Sequence, residues 1–280
     1  MSTENALFTL LQDKIKHDTL ILPSLPAIAL RVTKAAEDPE INLAKLSDVI
    51  SHDAAMTARI VKVANSGYLG RSIKVESLQQ AVTRIGLKQI KNISVAIAME
   101  QLFNSKHQLI RTQMQKSWQE SCRVMAGAAV LFQEYVHHHR PGRLCLDSLT
   151  LASLLSNIGH LPIFMEAERH PNVFAGQSFL EYALMSFSSK VAELVLKAWE
   201  FPNDIVEAVT EWRQFKERDA VDYADFMTLS ALLQDGIDIA EKPRDWLEYY
   251  KERELIEGIS WWSDKAVQDR VNSTYKAFAH

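Results

Sequence analysis

Apolar residues recur along this chain at intervals of three and four positions, and this spacing predicts helices almost throughout. The clearest run places five apolar side chains on one helical face, at Val191, Leu194, Val195, Ala198 and Trp199. No stretch of useful length alternates apolar and polar residues at every second position, so a β-sheet is not expected. The pattern therefore predicts an all-α fold.

Polar residues and glycines mark where the predicted helices begin and end. Asn42, Asp53 and Ser77 each precede an apolar period, and their side-chain oxygens suit the N-cap because they can accept first-turn N–H groups. Gly86 interrupts one apolar period before it resumes. The run 65–67 (Asn-Ser-Gly) predicts a helix exit in left-handed backbone, which asparagine and glycine tolerate.

A break near Asn104 predicts two helical lobes, one over residues 1–104 and the other over 105–280. The second lobe is expected to start with a long helix that ends at the run His137–Gly142. Asp147 is the predicted N-cap of the next helix, Ser148 to Asn157, which Gly159 is expected to close. A later helix is expected from about Asp222 to Ile239.

The order of short motifs in the first half resembles the HDOD domain, a bacterial signalling relative of the HD phosphohydrolases. The motifs are Leu22–Pro26, His52-Asp53, Ala64–Ser66 and Ser77–Gly86. Ala54 stands where the family usually has proline, a neutral change because alanine also suits a first helical turn. The resemblance covers about residues 20–238. It implies an HD-domain-like helical bundle packed against an N-terminal HDOD-specific bundle.

The resemblance also shows which metal ligands are missing. HD phosphohydrolases bind metal ions through histidines and aspartates, and a metal-bound water attacks the phosphoester. The corresponding core positions here are Glu120, Ser156, Asn157 and Ala231, and further histidines of one branch would fall near Ser188 and at Glu211-Trp212. Only Glu120 could still bind a metal strongly. The sequence therefore predicts no catalytic residue, no metal and no cofactor.

Histidines and cysteines elsewhere give no competing site. His137, His138 and His139 are consecutive, so on a helix they point in different directions and cannot converge on one ion. His160 is expected to cap carbonyls or pack in the core. The only two cysteines, at 122 and 145, lack a neighbouring histidine or basic pair, so neither is expected to be a reactive thiolate.

The predicted function is a non-catalytic bacterial signal-transduction or regulatory module that acts by protein–protein contact. The resemblance implies partners such as sensor kinases or enzymes that make or degrade cyclic dinucleotides. One alternative is a metal-dependent phosphohydrolase whose site is rebuilt from Glu120 with Asp147 or Glu193. Another is a nucleotide-binding sensor that uses the vacated pocket without cleavage.

Composition and charge refine this interpretation. No apolar run approaches the ~18 residues of a membrane helix, and a cytoplasmic location without membrane contact is expected.

The net charge is −4, but it is unevenly distributed. Seven basic residues against one acid lie between Arg59 and Lys91, whereas fifteen acids against seven basic residues lie between Asp204 and Glu257. Nucleic acid is not an expected partner, because no binding motif accompanies the basic stretch.

The basic stretch supplies a candidate interaction surface with an open alternative. Its proposed members are Arg59, Lys62, Asn65, Ser66, Arg84, Lys88 and Lys91. The spacing of Arg84, Lys88 and Lys91 predicts one exposed helix face. The alternative is that the basic and acidic regions attract each other or form ordinary solvated faces. The oligomeric state is left open.

Overall fold

A computed structural model describes residues 3–69, 74–170, 177–240 and 242–279, and within them the chain forms fifteen α-helices and no β-strand. The all-α prediction is confirmed. No helix of these residues is both long and apolar enough to cross a membrane. The helices are α1 (Thr3–Lys16), α2 (Ala27–Ala36), α3 (Leu43–Ser51), α4 (Ala54–Ala64), α5 (Leu78–Ile85), α6 (Leu87–Met99), α7 (Gln108–His138), α8 (Leu146–Leu154), α9 (His160–Arg169), α10 (Gln177–Ala198), α11 (Asn203–Glu211), α12 (Tyr223–Leu232), α13 (Trp246–Glu252), α14 (Ile259–Trp262) and α15 (Lys265–Phe278).

The predicted N-caps are confirmed at three helices of the first half. Asn42 Oδ1 accepts a hydrogen bond from the backbone N–H of Lys45 at 2.9 Å, before α3. Asp53 caps α4 in the same way at 2.9 Å. Ser77 caps α5 through the backbone N–H of Gln80 at 3.2 Å. Each side chain satisfies an N–H group that has no partner within its own helix.

Several predicted boundaries in the second half are wrong. Asp147 is not an N-cap: α8 already begins at Leu146, and the Asp147 carboxylate is buried and accepts a hydrogen bond from Asn92 Nδ2 at 3.0 Å. The helix ends at Leu154, and residues 155–159 form a turn before α9. Asp222 does cap α12, as expected, but that helix ends at Leu232 rather than near Ile239.

Two helix ends of the first half differ from expectation for backbone reasons. Gly86 has φ +90°, which ends α5 and starts α6 at a new angle, so Arg84 and Lys91 lie on different helices and share no face. Asn65 is right-handed, at φ −99°, so the predicted left-handed exit is wrong there. Its amide instead holds the chain by two 2.7 Å hydrogen bonds to the backbone N–H and carbonyl of Val75.

One contiguous hydrophobic core runs through the described residues, from Leu11 to Ala279. The 31-residue helix α7 lies along it and contacts α8, α9, α12 and α15. Helix α15 returns to the N-terminal half, where the Phe278 ring packs edge-on against Tyr68 with centroids 5.6 Å apart. The division at residue 104 remains a prediction.

Candidate functional site

Three chain segments meet at the vacated ligand positions Glu120, Ser156 and Asn157. Glu120 projects from α7, Ser156 and Asn157 lie in the turn after α8, and Arg213 follows the end of α11. Asn157 is almost fully buried, whereas the Glu120 and Arg213 side chains are each about three-quarters buried. No motif or spacing in the sequence predicts a role for Arg213.

Arg213, Glu120 and Asn157 form a closed polar cluster. The guanidinium Nη2 pairs with Glu120 Oε1 and donates to Asn157 Oδ1 at 2.9 Å. Asn157 Nδ2 donates to Glu120 Oε1 at 3.1 Å and to the Ser117 carbonyl at 3.0 Å. The second guanidinium nitrogen donates to the carbonyl of Asp238 at 2.9 Å. The cluster thus joins α7, the turn after α8 and the segment after α11.

Aromatic and hydroxyl groups complete the surroundings of this cluster. The Arg213 guanidinium lies over the Trp212 ring, with Cζ 4.3 Å from a ring centroid. The Trp212 indole N–H donates to the Ser156 carbonyl at 3.1 Å, and Ser156 Oγ donates to Ser121 Oγ at 3.0 Å. A cation over an aromatic face is attracted by the ring quadrupole, so Trp212 stabilises the position of the guanidinium.

His160 belongs to the same region and is uncharged. Its Nδ1 lies 2.8 Å from Ser117 Oγ, and the side chain is buried. Burial, and secondly the positive charge of Arg213, hold the pKa of His160 well below its ordinary value. The expectation that His160 packs in the core is therefore confirmed.

These residues do not fit a catalytic metal ion. Such an ion needs several converging ligands, and the one carboxylate of the cluster is already paired with a cation. In the described ranges, no group of three or more histidine, cysteine, aspartate or glutamate side chains could hold a metal. Asp147 bonds Asn92, and Glu193 pairs with Lys190 and Lys197, so the rebuilt ligand set does not form.

A small cavity borders the Arg213 cluster. A cavity of about 20 Å³ lies between the turn after α8, α10 and the end of α11, enough for about one water molecule. Ser188 and Trp212 line this cavity. Ala231 is buried and uncharged, and Glu211 pairs with Lys216 and Arg218.

The predicted interaction surface is not continuous. Arg59 is buried; it pairs with Glu100 and donates to the Phe278 carbonyl, and burial lowers its pKa. Ser66 is buried too, with its hydroxyl bonded to the Val63 carbonyl at 2.7 Å. The prediction that these two residues lie at the surface is wrong, because α15 packs against α4.

The other members of that set are separated. Arg84 is half-buried and donates to the Ala64 carbonyl at 3.1 Å. Lys62 and Asn65 are exposed beside α15, whereas Lys91 borders a different groove. The Lys88 side chain lies outside what the structure describes.

Comparison with known proteins found a matching domain family and similar solved structures. A family model for the HDOD domain matches residues 22–215. A solved structure from Shewanella amazonensis SB2B, whose name proposes a metal-dependent phosphohydrolase, is 35% identical with a TM-score of 0.92 and covers 99% of this chain and 100% of that one. An HDOD domain protein from Geobacter sulfurreducens is 20% identical with a TM-score of 0.56, covering 92% of this chain and 87% of that one.

A curated relative is matched over a shorter region. It is an uncharacterised protein of Treponema pallidum (strain Nichols), 27% identical over 84 residues that make up 30% of this chain and 16% of that protein. The family model, by contrast, covers more than half of this chain. The chain belongs to the HDOD domain family.

Proposed function

We propose that this protein is a non-catalytic regulatory module of bacterial signal transduction that acts by binding other proteins. The observation that carries the proposal is the Arg213 guanidinium, which is bonded to Glu120 and Asn157 at the vacated ligand positions. A fixed cation there neutralises the one remaining strong ligand and would repel a divalent ion by Coulomb's law.

The alternative function is metal-dependent phosphohydrolysis, the activity for which the relative from Shewanella amazonensis is named. Metal-assisted hydrolysis requires a metal that makes its bound water acidic and an open coordination position for that water. Here Ser156 and Asn157 replace two ligand positions, and their polar groups are engaged by Ser121, Ser117 and Glu120. This geometry disfavours metal-assisted hydrolysis at these positions.

The small cavity beside Arg213 argues against the alternative of a nucleotide-binding sensor. Pockets for small molecules of drug size usually measure about 300–1,000 Å³, whereas the cavity beside Arg213 measures about 20 Å³. A nucleotide would have to displace the Arg213 cluster and the Trp212 ring to enter. The cavity beside Arg213 is therefore too small for a nucleotide. The proposed partners are proteins, and sensor kinases and cyclic-dinucleotide enzymes are the classes that family resemblance suggests.

The proposal is tested by metal analysis and turnover on protein purified without chelator. We expect no stoichiometric transition metal, and no hydrolysis of bis(4-nitrophenyl) phosphate or a cyclic dinucleotide in the presence of Mn²⁺. Chemical crosslinking in bacterial lysate, followed by identification of the captured proteins, should yield signalling proteins. Metal-dependent turnover that disappears in Glu120→Gln would overturn the proposal.

A further inference from the structure

A groove of about 750 Å³ lies where the two predicted lobes meet, apart from the Arg213 cluster. One wall is the segment Leu22–Leu25, and another is formed by α2 and α6. The opposite side consists of α8 and the connection between α10 and α11, residues 198–205. An occupant of this groove would therefore contact residues on both sides of position 104.

The Leu22–Leu25 wall offers main-chain groups for pairing. Pro23 and Pro26 fix their own φ angles and bias the residues before them toward extended backbone. Among the described residues, no protein group accepts a hydrogen bond from the backbone N–H of Leu22, Ser24 or Leu25. Trp199, on the facing wall of the groove, contacts the same segment, because its indole N–H donates to the Pro23 carbonyl at 3.0 Å.

The interior of the groove is apolar and partly open to solvent. Leu30 on α2 lines it with 52% of its surface exposed, a large fraction for a leucine. Trp199 and Phe201 stand on the other side, with their rings 6.2 Å apart and inclined at 48°. Leu30 is half exposed, whereas Trp199 and Phe201 are only partly exposed. Apolar side chains with exposed surface gain free energy when a partner covers them.

Three charged residues border the groove without an ion-pair partner among the described residues. They are Glu37 at the end of α2, Glu200 after α10, and Lys91 on α6. Two carboxylates against one ammonium group favour an occupant with a basic side chain. Glu200 lies between Trp199 and Phe201 in the chain and has a left-handed backbone, φ +57°.

We infer that this groove binds an extended segment of a partner protein that carries bulky apolar side chains and at least one lysine or arginine. The segment pairs its backbone with Leu22–Leu25, inserts apolar side chains beside Leu30 and Trp199, and places its basic group near Glu37 and Glu200. Backbone pairing supplies affinity in such complexes, and pockets for alternate side chains supply specificity. The inference rests on the proposed function, because it names the partner class through which a non-catalytic module acts.

A phage-displayed library of random 12-residue peptides tests this inference on the full chain. We expect enriched peptides to share apolar residues at alternate positions and a nearby lysine or arginine. A synthetic peptide of that type should bind at least tenfold more weakly to Leu30→Asp. The matched control is Ile259→Asp, which changes a similarly exposed residue, 43%, that does not line the groove; its affinity should equal that of the wild type.

Two further measurements test the predicted chemistry of the partner. The double variant Glu37→Lys, Glu200→Lys should weaken binding of the basic peptide and strengthen binding of a version whose basic residue is replaced by glutamate. Methylation of alternate peptide nitrogens should abolish binding, because an extended pairing uses those N–H groups. Peptides that bind as helices, or that bind Leu30→Asp as tightly as the wild type, would overturn the inference, as would failure to enrich any peptide. The metal and turnover assays judge the proposed function separately.

Discussion

The hydroxyl of Tyr68 lies 3.0 Å from the hydroxyl of Thr150 and joins the turn after α4 to α8. Tyr68 is fully buried, and burial raises the pKa of its hydroxyl above the ordinary value, so the group stays neutral. Gln133 on α7 also donates to the Tyr68 carbonyl at 2.6 Å. The turn that follows the Ala64–Ser66 motif is therefore fastened to two helices of the second half.

Tyr68→Phe should lower the free energy of unfolding by about 1 kcal/mol, the usual net contribution of one hydrogen bond. The ring keeps its packing against Phe278, so the change isolates the hydroxyl. Urea denaturation of Tyr68→Phe, Thr150→Val and the double variant gives the coupling between the two groups. Strict additivity of the two single effects would show that the bond contributes nothing.

Gly159→Ala should destabilise the fold by about 1–3 kcal/mol, the range for inserting atoms into a packed core. A Cβ at this position would lie 2.0 Å from the Ser188 carbonyl oxygen and 2.7 Å from the Ala192 backbone nitrogen. Neither backbone atom can move without shifting α10. Thermal unfolding measures the effect, with Ser186→Ala on the exposed face of α10 as the control; equal Tm values for the two variants would contradict it.

The Gly159 contact illustrates what the sequence could and could not predict. Helices, N-caps and the motif order follow from local patterns, and Asn42, Asp53 and Ser77 cap as predicted. The sequence pattern predicts that Gly159 ends a helix. It does not predict the close approach of the α10 backbone, because that contact joins distant parts of the chain. The predicted end of the helix after Asp147 is wrong because Leu155 and Ile158, three residues apart in the buried turn, continue the helical apolar spacing.

The candidate site could be predicted only in part. Loss of the ligands at Ser156 and Asn157 is visible in the sequence, but the role of Arg213 is not, since it depends on a contact between residues 93 positions apart. The sequence predicts Arg59 at the surface, because an arginine in a basic stretch is usually solvated, but the side chain is buried. Its burial depends on Glu100 and on the far C-terminal helix, whose Phe278 carbonyl accepts its hydrogen bond.

Asp225 gives a pH-dependent prediction. Its carboxylate is fully buried at the start of α12, and burial, followed by repulsion from Asp222, raises its pKa from 3.8 to about 6 despite Arg218 and Arg253 nearby. A carboxyl whose pKa is higher in the folded state binds more protons there than in the unfolded chain. The contribution of Asp225 to stability should therefore decrease as pH rises from about 4 to about 6.

The measurement compares the wild type with Asp225→Asn by urea denaturation at several pH values. Relative to the variant, the wild type should lose stability by about 3 kcal/mol across this window, since each pKa unit corresponds to about 1.4 kcal/mol. Above about pH 7 and below about pH 3 the difference should be constant, because the ionisation of Asp225 is then the same in the folded and unfolded states. A wild type that instead gains stability over the variant as pH rises would show that its pairs with Arg218 and Arg253 outweigh burial.

Arg213→Ala should lower the free energy of unfolding by about 2 kcal/mol, because it leaves the partly buried Glu120 carboxylate and the Asn157 carbonyl without their charged donor. Glu120→Gln should have a smaller effect, and the double variant should lose less than the sum of the two. Methylguanidinium provides the diagnostic control, since it can re-enter the space vacated in Arg213→Ala and restore part of the lost Tm, while leaving the wild type unchanged. Rescue by Mn²⁺ instead of methylguanidinium would mean that the remaining oxygens still suit a metal ion. Because a side-chain cation and a metal ion would then be interchangeable at this position, that result would return the phosphohydrolase alternative to consideration.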